Sequence, residues 1–291
     1  MASHGVGLTV ARFPAHDGTQ LAITTVGDGA PLLCLPGGPA RAAEYLGDLG
    51  GLSTTRTLLL LDQRGVGRSA VPSDPSTYRV DRLVEDVEAA RRHLDLDPVD
   101  LLAHSAGASL ALLYAARFPE RIGRLVLVTP SLNVVSSLQG TPEELEAVLA
   151  RRADEPWYAD AHAALMQRFQ GDAGPDVMRR MAPFSYGRWD DAAADHADRD
   201  AEQRSAEGAA GYYADLTVDE EQVRGALAAL DAPVHVTAGD VDLHPSPPVA
   251  ARLAALFRHG ELSVQPGAAH YPWLDDPAAF CSAVEGFLAR S

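Results

Sequence analysis

Val99-Asp-Leu-Leu-Ala-His-Ser-Ala-Gly-Ala-Ser-Leu-Ala-Leu-Leu-Tyr114 is an apolar strand run straight into a helix, with a lone serine, Ser105, at the corner. Val99 to Ala103 read as a short buried strand, and Leu110, Leu113 and Tyr114 recur at helical spacing directly afterwards. A strand-to-helix reversal without a loop forces the corner residue into a strained backbone conformation. It leaves room only for small neighbours, which Ala103, Gly107 and Ala108 supply. The Ser105 hydroxyl is thereby turned outward at the carboxyl end of a strand, with the Ala106 N–H beside it at the start of a helix. A serine in this place can also be a plain helix N-cap, so the rest of the chain has to decide its role.

Outward from this corner the chain alternates strand and helix. Leu8 to Phe13 and Gln20 to Val26 form a hairpin around Asp17-Gly18, Pro31 to Leu35 is a fully apolar strand and Thr57 to Leu61 another buried one. Val80 to Leu94 carries a helical stripe, and Arg124 to Val128 is a further strand. After Pro130 the alternation stops. Between Ser131 and Leu230 the spacing predicts helices over Glu143 to Arg152, Asp160 to Phe169, Val177 to Met181 and Asp219 to Leu230, and no strand. Asp190 to Glu207, rich in Ala, Asp and Arg and including His196, reads as a solvated helix face rather than a set of metal ligands. Alternation resumes with strands at Val234 to Ala238 and Glu261 to Val264 and helices at Pro248 to Phe257 and Ala278 to Leu288. The expected class is α/β, a mostly parallel sheet with helices on both faces and an inserted helical cap: residues 1–130 and 231–291 are the core, and 131–230 the cap.

At 291 residues with 46% hydrophobic content the chain can bury a large core, roughly three quarters of its unfolded surface. A formal net charge of −16 argues against nucleic acid or an anionic membrane as partner. No stretch approaches about 18 uninterrupted apolar residues, so a membrane span is not expected. The first residues show no basic segment followed by an apolar run, and the two cysteines, Cys34 and Cys281, cannot form a disulfide framework. The expectation is a cytoplasmic protein with both thiols reduced. The sequence leaves its oligomeric state open.

Four short segments carry chemistry. Pro36-Gly37-Gly38-Pro39, at a strand end, can expose backbone N–H groups to a negatively charged oxygen, or be an ordinary turn. Asp62-Gln-Arg-Gly-Val-Gly-Arg-Ser69 lacks the spacing of a phosphate loop. Gly239-Asp-Val-Asp-Leu-His-Pro245 and Pro266-Gly-Ala-Ala-His-Tyr-Pro272 follow the last two strands, where an open α/β sheet places its ligand site. A serine hydroxyl becomes a nucleophile when a base removes its proton and a carboxylate orients that base. Ser105, His270 and Asp242 supply those three parts, each just past a strand end. Asp240 competes with Asp242, which is preferred because it stands three residues past the strand-ending glycine and so further over the sheet. His104 and His244 compete with His270, but the first should point away from the serine and the second is too close to Asp242 in sequence. Both read instead as lining or supporting a pocket.

The chain order Ser105, Asp242, His270 is that of α/β-hydrolases. With the Gly-Gly-Pro loop at 37 to 39, the Asp-Gln-Arg-Gly run from 62, the serine turn and the two loops just quoted, the chain resembles that superfamily along almost its whole length, and within it the proline iminopeptidase-like branch. The resemblance implies a catalytic triad of Ser105, Asp242 and His270, an oxyanion hole from the N–H groups of Gly38 and Ala106, a helical cap, and neither metal nor cofactor.

Departures bear on substrate. The branch's His-Gly-Gly-Pro-Gly reads Pro36-Gly-Gly-Pro-Ala40, and its Gly-x-Ser-Trp-Gly-Gly reads Ala103-His-Ser-Ala-Gly-Ala108. Iminopeptidases are expected to hold the substrate amine with cap carboxylates. Asp190, after Trp189, fits one of these places; the other falls on Ala209, with Glu207 nearby. Losing one such partner removes about 1.5 to 3 kcal/mol of amine recognition. Trp189, Asp190, His104 and Tyr271 are the candidate substrate-binding residues. Three readings stand at this point: a hydrolase of a small-molecule ester, lactone or amide, which is favoured; an aminopeptidase; and a non-catalytic receptor for a small molecule.

Overall fold

The computed structural model describes residues 8–290; residues 1–7, on which the expectation about a leader falls, and residue 291 lie outside it. Strands β1 (Thr9–Pro14), β2 (Gln20–Val26), β3 (Ala30–Leu35), β4 (Arg56–Asp62), β5 (Val99–His104), β6 (Ile122–Val128), β7 (Val234–Gly239) and β8 (Gly260–Gln265) form one sheet in the order β1-β2-β4-β3-β5-β6-β7-β8. β2 pairs antiparallel with β1 and β4, and every other neighbouring pair is parallel. The central parallel strands carry apolar stretches such as residues 58–61 and 125–128 because both of their faces are covered, whereas the edge strand β8, Gly-Glu-Leu-Ser-Val-Gln, is only partly buried.

Successive residues of a strand point to opposite faces, and β5 shows what each face meets. Leu101 and Ala103 pack into the larger core, with Leu83 and Val87 of α1 (Val80–His93) and Leu110 and Tyr114 of α2 (Ala106–Arg117). Leu102 points the other way, into a second core with Cys34, Tyr45 and Trp273. Both cysteines are free.

Among the described residues no strand of the sheet falls between Val128 and Val234. That stretch holds α3 (Pro142–Ala150), α4 (Tyr158–Phe169), α5 (Pro175–Met181), α6 (Asp191–Asp198), α7 (Asp200–Gln203), α8 (Ala206–Gly211) and α9 (Glu220–Ala228). After β7 come α10 (Pro247–Ala254), α11 (Pro272–Asp275) and α12 (Pro277–Leu288), and α12 adds Phe280, Val284 and Phe287 to the second core. No described helix is long and apolar enough to cross a membrane.

The Asp-Gln-Arg-Gly run braces loops. Asp62 accepts from Ala43 N at 2.8 Å and Arg68 N at 2.9 Å. The buried Arg64 donates through Nε to Asp86, at 2.8 Å, and through Nη1 to Asp17, at 2.7 Å.

The close crossing of β3, β5 and α2 leaves no space for a side chain at Gly107. A Cβ there would lie 2.5 Å from Pro36 O and 2.7 Å from Leu35 O. Gly225 in α9 is the control, since a Cβ there meets nothing within 4 Å. Gly107→Ala should therefore destabilise by about 1–3 kcal/mol and lower Tm by several degrees, whereas Gly225→Ala should raise stability by about 0.5–1 kcal/mol. Equal shifts in thermal unfolding would contradict the packing.

Candidate active site

Ser105 occupies φ 53°, ψ −123°, a region that L-residues seldom adopt. The corner is pinned on both sides. Ser105 N donates to Val128 O at 3.0 Å, and Ser105 O accepts from Ala108 N at 2.9 Å and Ser131 N at 3.0 Å. Its Oγ lies 2.9 Å from His270 Nε2, and His270 Nδ1 lies 3.0 Å from Asp242 Oδ2. Asp242 is buried, and its Oδ1 accepts from His244 N at 2.9 Å. An ionised carboxylate only accepts, so Nδ1 carries the imidazole proton and Nε2 presents a lone pair to the serine hydroxyl.

Of the two competing carboxylates, the fold brings Asp242 to His270. The half-buried Asp240 instead accepts from Gly267 N at 2.7 Å and pairs with Arg151. His244 lines the cavity. His104 lies behind the serine, buried, with Nε2 2.9 Å from the His270 carbonyl.

Beside Ser105 opens a cavity of about 750 Å³. Gly38, Ala106 and His270 face it near the serine; Leu132, Leu145, Leu243 and Val249 form apolar wall, and Asn133, Gln139 and Tyr213 add neutral polar groups. Among the described residues, no Asp, Glu, Arg or Lys lines it. Gly37 packs against the serine so tightly that a Cβ there would lie 2.7 Å from Ser105 Cβ. Ala106 opens α2, and the first N–H of a helix has no acceptor within the helix.

Residues 30–277 match the family described as alpha/beta hydrolase fold. The chain belongs to that family. This membership agrees with the fold and the resemblance expected from the sequence, and it supports a hydrolytic function. The chain is 27% identical, over 278 residues, to a proline iminopeptidase of Levilactobacillus brevis, an alignment that covers 89% of this chain and 88% of that one. An esterase from Exiguobacterium antarcticum superposes with a TM-score of 0.73 at 17% identity, covering 96% of this chain and 99% of the other. A proline iminopeptidase from Mycobacterium smegmatis does so with 0.72 at 22%, covering 96% and 97%. At such identities the two structures speak for the fold alone.

Four expected binding residues of this hydrolase-fold chain lie away from the cavity lining. Asp190 caps α6 by accepting from Ala193 N and pairs with Arg188, so its charge is already matched near the surface. Trp189 packs on Tyr186 instead. Tyr271 accepts from the Arg41 guanidinium at 3.3 Å, and His104 is enclosed by Tyr45, Tyr271 and Trp273.

The reading of His196 as part of a solvated face is corrected. Its Nδ1 lies 2.7 Å from Tyr186 Oη, its ring meets Tyr271 edge-on, and its carbonyl accepts from Arg41. Sequence reasoning also missed Arg41 and Tyr45. Arg41 is buried against Asp200 and Gln203, and its guanidinium lies 4.3 Å from the Tyr45 ring centre.

Burial, with the Arg41 charge adding to it, pushes the pKa of His196 from 6.5 down to about 4. The unfolded chain binds a proton in that window that the folded chain refuses. The folded state is therefore favoured above pH 6.5, and this contribution is lost as pH falls toward about 4. His196→Asn should flatten the fall of Tm across that window; a slope unchanged from wild type would show that His196 titrates freely.

Proposed function

We propose that the protein is a serine hydrolase that cleaves a small, uncharged ester, lactone or amide through an acyl-enzyme. The observation that carries this reading is the continuous relay from Ser105 Oγ to His270 at 2.9 Å and on to Asp242 at 3.0 Å, opening on the cavity. Ser105 attacks the acyl carbonyl while His270 Nε2 takes its proton, and His270 returns the proton to the leaving group as the tetrahedral intermediate collapses. Water then repeats the sequence to release the acid. Asp242 fixes the tautomer and stabilises the imidazolium, and the N–H groups of Gly38 and Ala106 receive the oxyanion. Removing one such donor typically costs about 3–4 kcal/mol of transition-state stabilisation.

The cavity wall supports the neutral substrate. A free substrate amine would be desolvated there without a carboxylate to meet it. The aminopeptidase reading draws on the names of the relatives, but Asp190 is engaged by Arg188, and Glu207 is exposed and away from the lining.

Ser105→Ala should abolish both fluorophosphonate labelling and ester turnover; persistent labelling would name another nucleophile. Comparing propionyl and alanyl p-nitrophenyl esters holds the leaving group constant. kcat/KM should favour the propionyl ester by about tenfold or more, with Asp190→Asn leaving the ratio unchanged. The opposite preference, lost in Asp190→Asn, would establish the aminopeptidase. Ligand-induced stabilisation without any turnover would establish the receptor.

A further inference from the structure

Three hydrogen bonds behind the reacting groups run in one direction. Gly37 N–H donates to Tyr45 Oη at 2.7 Å, Tyr45 Oη lies 2.6 Å from His104 Nδ1, and His104 Nε2 lies 2.9 Å from the carbonyl oxygen of His270. A carbonyl oxygen has no proton to give, so His104 carries its hydrogen on Nε2. Nδ1 is then a lone pair, and the Tyr45 hydroxyl must donate to it while accepting from Gly37. This arrangement satisfies every group in the chain. Burial holds His104 well below the usual imidazole range, which keeps it neutral and preserves the direction of the bonds.

We propose that Tyr45 and His104 are positioning residues for the hydrolysis, tying the Gly37-Gly38 loop to the backbone of His270 so that oxyanion donor, nucleophile and base keep one mutual geometry. The proposal rests on the reading of Ser105 as nucleophile. Its support is where the bonds attach. Gly37 precedes the proposed oxyanion donor Gly38, His104 precedes Ser105, and the accepting carbonyl is that of the proposed base. Neither Tyr45 nor His104 lines the cavity, so neither touches substrate. Both rings are fixed in place: Trp273 stands edge-on to His104 with ring centres 4.8 Å apart, and Arg41 covers Tyr45. The His270 carbonyl takes a second bond from Thr129 Oγ1 at 3.0 Å, which holds it against both β5 and β6. Apolar rings would fill the same space, but only a directed chain of donors and acceptors sets the distance between the loops.

Tyr45→Phe removes one oxygen, keeps the ring, and leaves Gly37 N–H and His104 Nδ1 without their partner. With p-nitrophenyl butyrate and the full chain, kcat should fall about 10- to 100-fold with KM nearly unchanged. Fluorophosphonate labelling of Ser105 should slow by the same factor, at a Tm that leaves the protein folded throughout. His104→Gln, which keeps a donor within reach of the His270 carbonyl, should recover part of the kcat lost in His104→Phe. A kcat within about twofold of wild type in folded Tyr45→Phe overturns the positioning role. So does a loss that appears as a rise in KM, or one that equals the fraction unfolded. In each of those cases wild-type labelling at Ser105 leaves the hydrolase reading standing. A wild-type protein that is neither labelled nor active on any ester overturns both.

Discussion

The loopless turn at Ser105 is the constraint on which the rest depends. An L-residue at φ 53° is held there by its surroundings, here the β6 carbonyl of Val128 on one side and the N–H groups of Ala108 and Ser131 on the other. Because the turn takes no chain length, α2 starts directly over the end of β5, and β3 must pass close enough that Gly37 and Gly107 tolerate no Cβ. The strand ends of β3, β5, β7 and β8 are thereby brought to one rim, where β3 and β5 diverge in connectivity. A crevice at that topological switch is where open α/β sheets place their ligands.

What was legible in the sequence was whatever local periodicity or local sterics dictates. Leu and Val runs gave the strands, the apolar stripe from Val80 gave α1, and the small residues around Ser105 gave the turn. The breaks around α3, α4 and α5 follow Gly and Pro punctuation, whereas those between α6, α7 and α8, at Arg199 and at Arg204-Ser205, carry neither residue. What was not legible depends on which residues the fold brings together. Asp240 and Asp242 stand in the same loop and differ only in direction: one meets Arg151 and the other meets His270. His196 sits among Asp and Ala residues in sequence, and only its docking against Tyr186 and Tyr271 takes it out of water. Nothing near position 41 in the sequence marks Arg41 as buried, because its partner Gln203 lies 162 residues downstream.

The buried ion pairs of this acidic chain set geometry as well as charge. Replacing a buried ion pair by well-packed apolar residues is often neutral or stabilising by about 1–4 kcal/mol. The retained feature in Arg64 with Asp86 and Asp17 is therefore direction: a planar guanidinium joins the loop after β4 to α1 and the first hairpin at fixed angles. Asp62 does the same for the turn that bears Tyr45, since the Ala43 N–H it accepts is two residues away. The Asp-Gln-Arg-Gly run thus reaches the site at second hand, through the turn whose phenol meets Gly37 and His104.

The helical segment and the proposed catalytic loops form one mechanical unit. Ala42 N donates to Gln203 O at 2.8 Å, Ser205 N to Ala40 O at 2.9 Å, and Arg204 to Pro39 O at 3.0 Å, so the stretch after Gly38 is laid against α7 and α8. On the other side His270 N donates to Ser185 O at 3.0 Å, and Asp275 accepts from both Gly187 N and Ala269 N. The same segment therefore holds both the Gly38 loop and the His270 backbone, while its side chains Leu145 and Phe169 and the β7-loop residue Leu243 form cavity wall. Backbone attachments and wall side chains are separable. The first fix where the proposed catalytic groups stand. The second make none of those backbone hydrogen bonds, so the size and polarity of the wall are set by different atoms from those that hold Ser105, Asp242 and His270 in place.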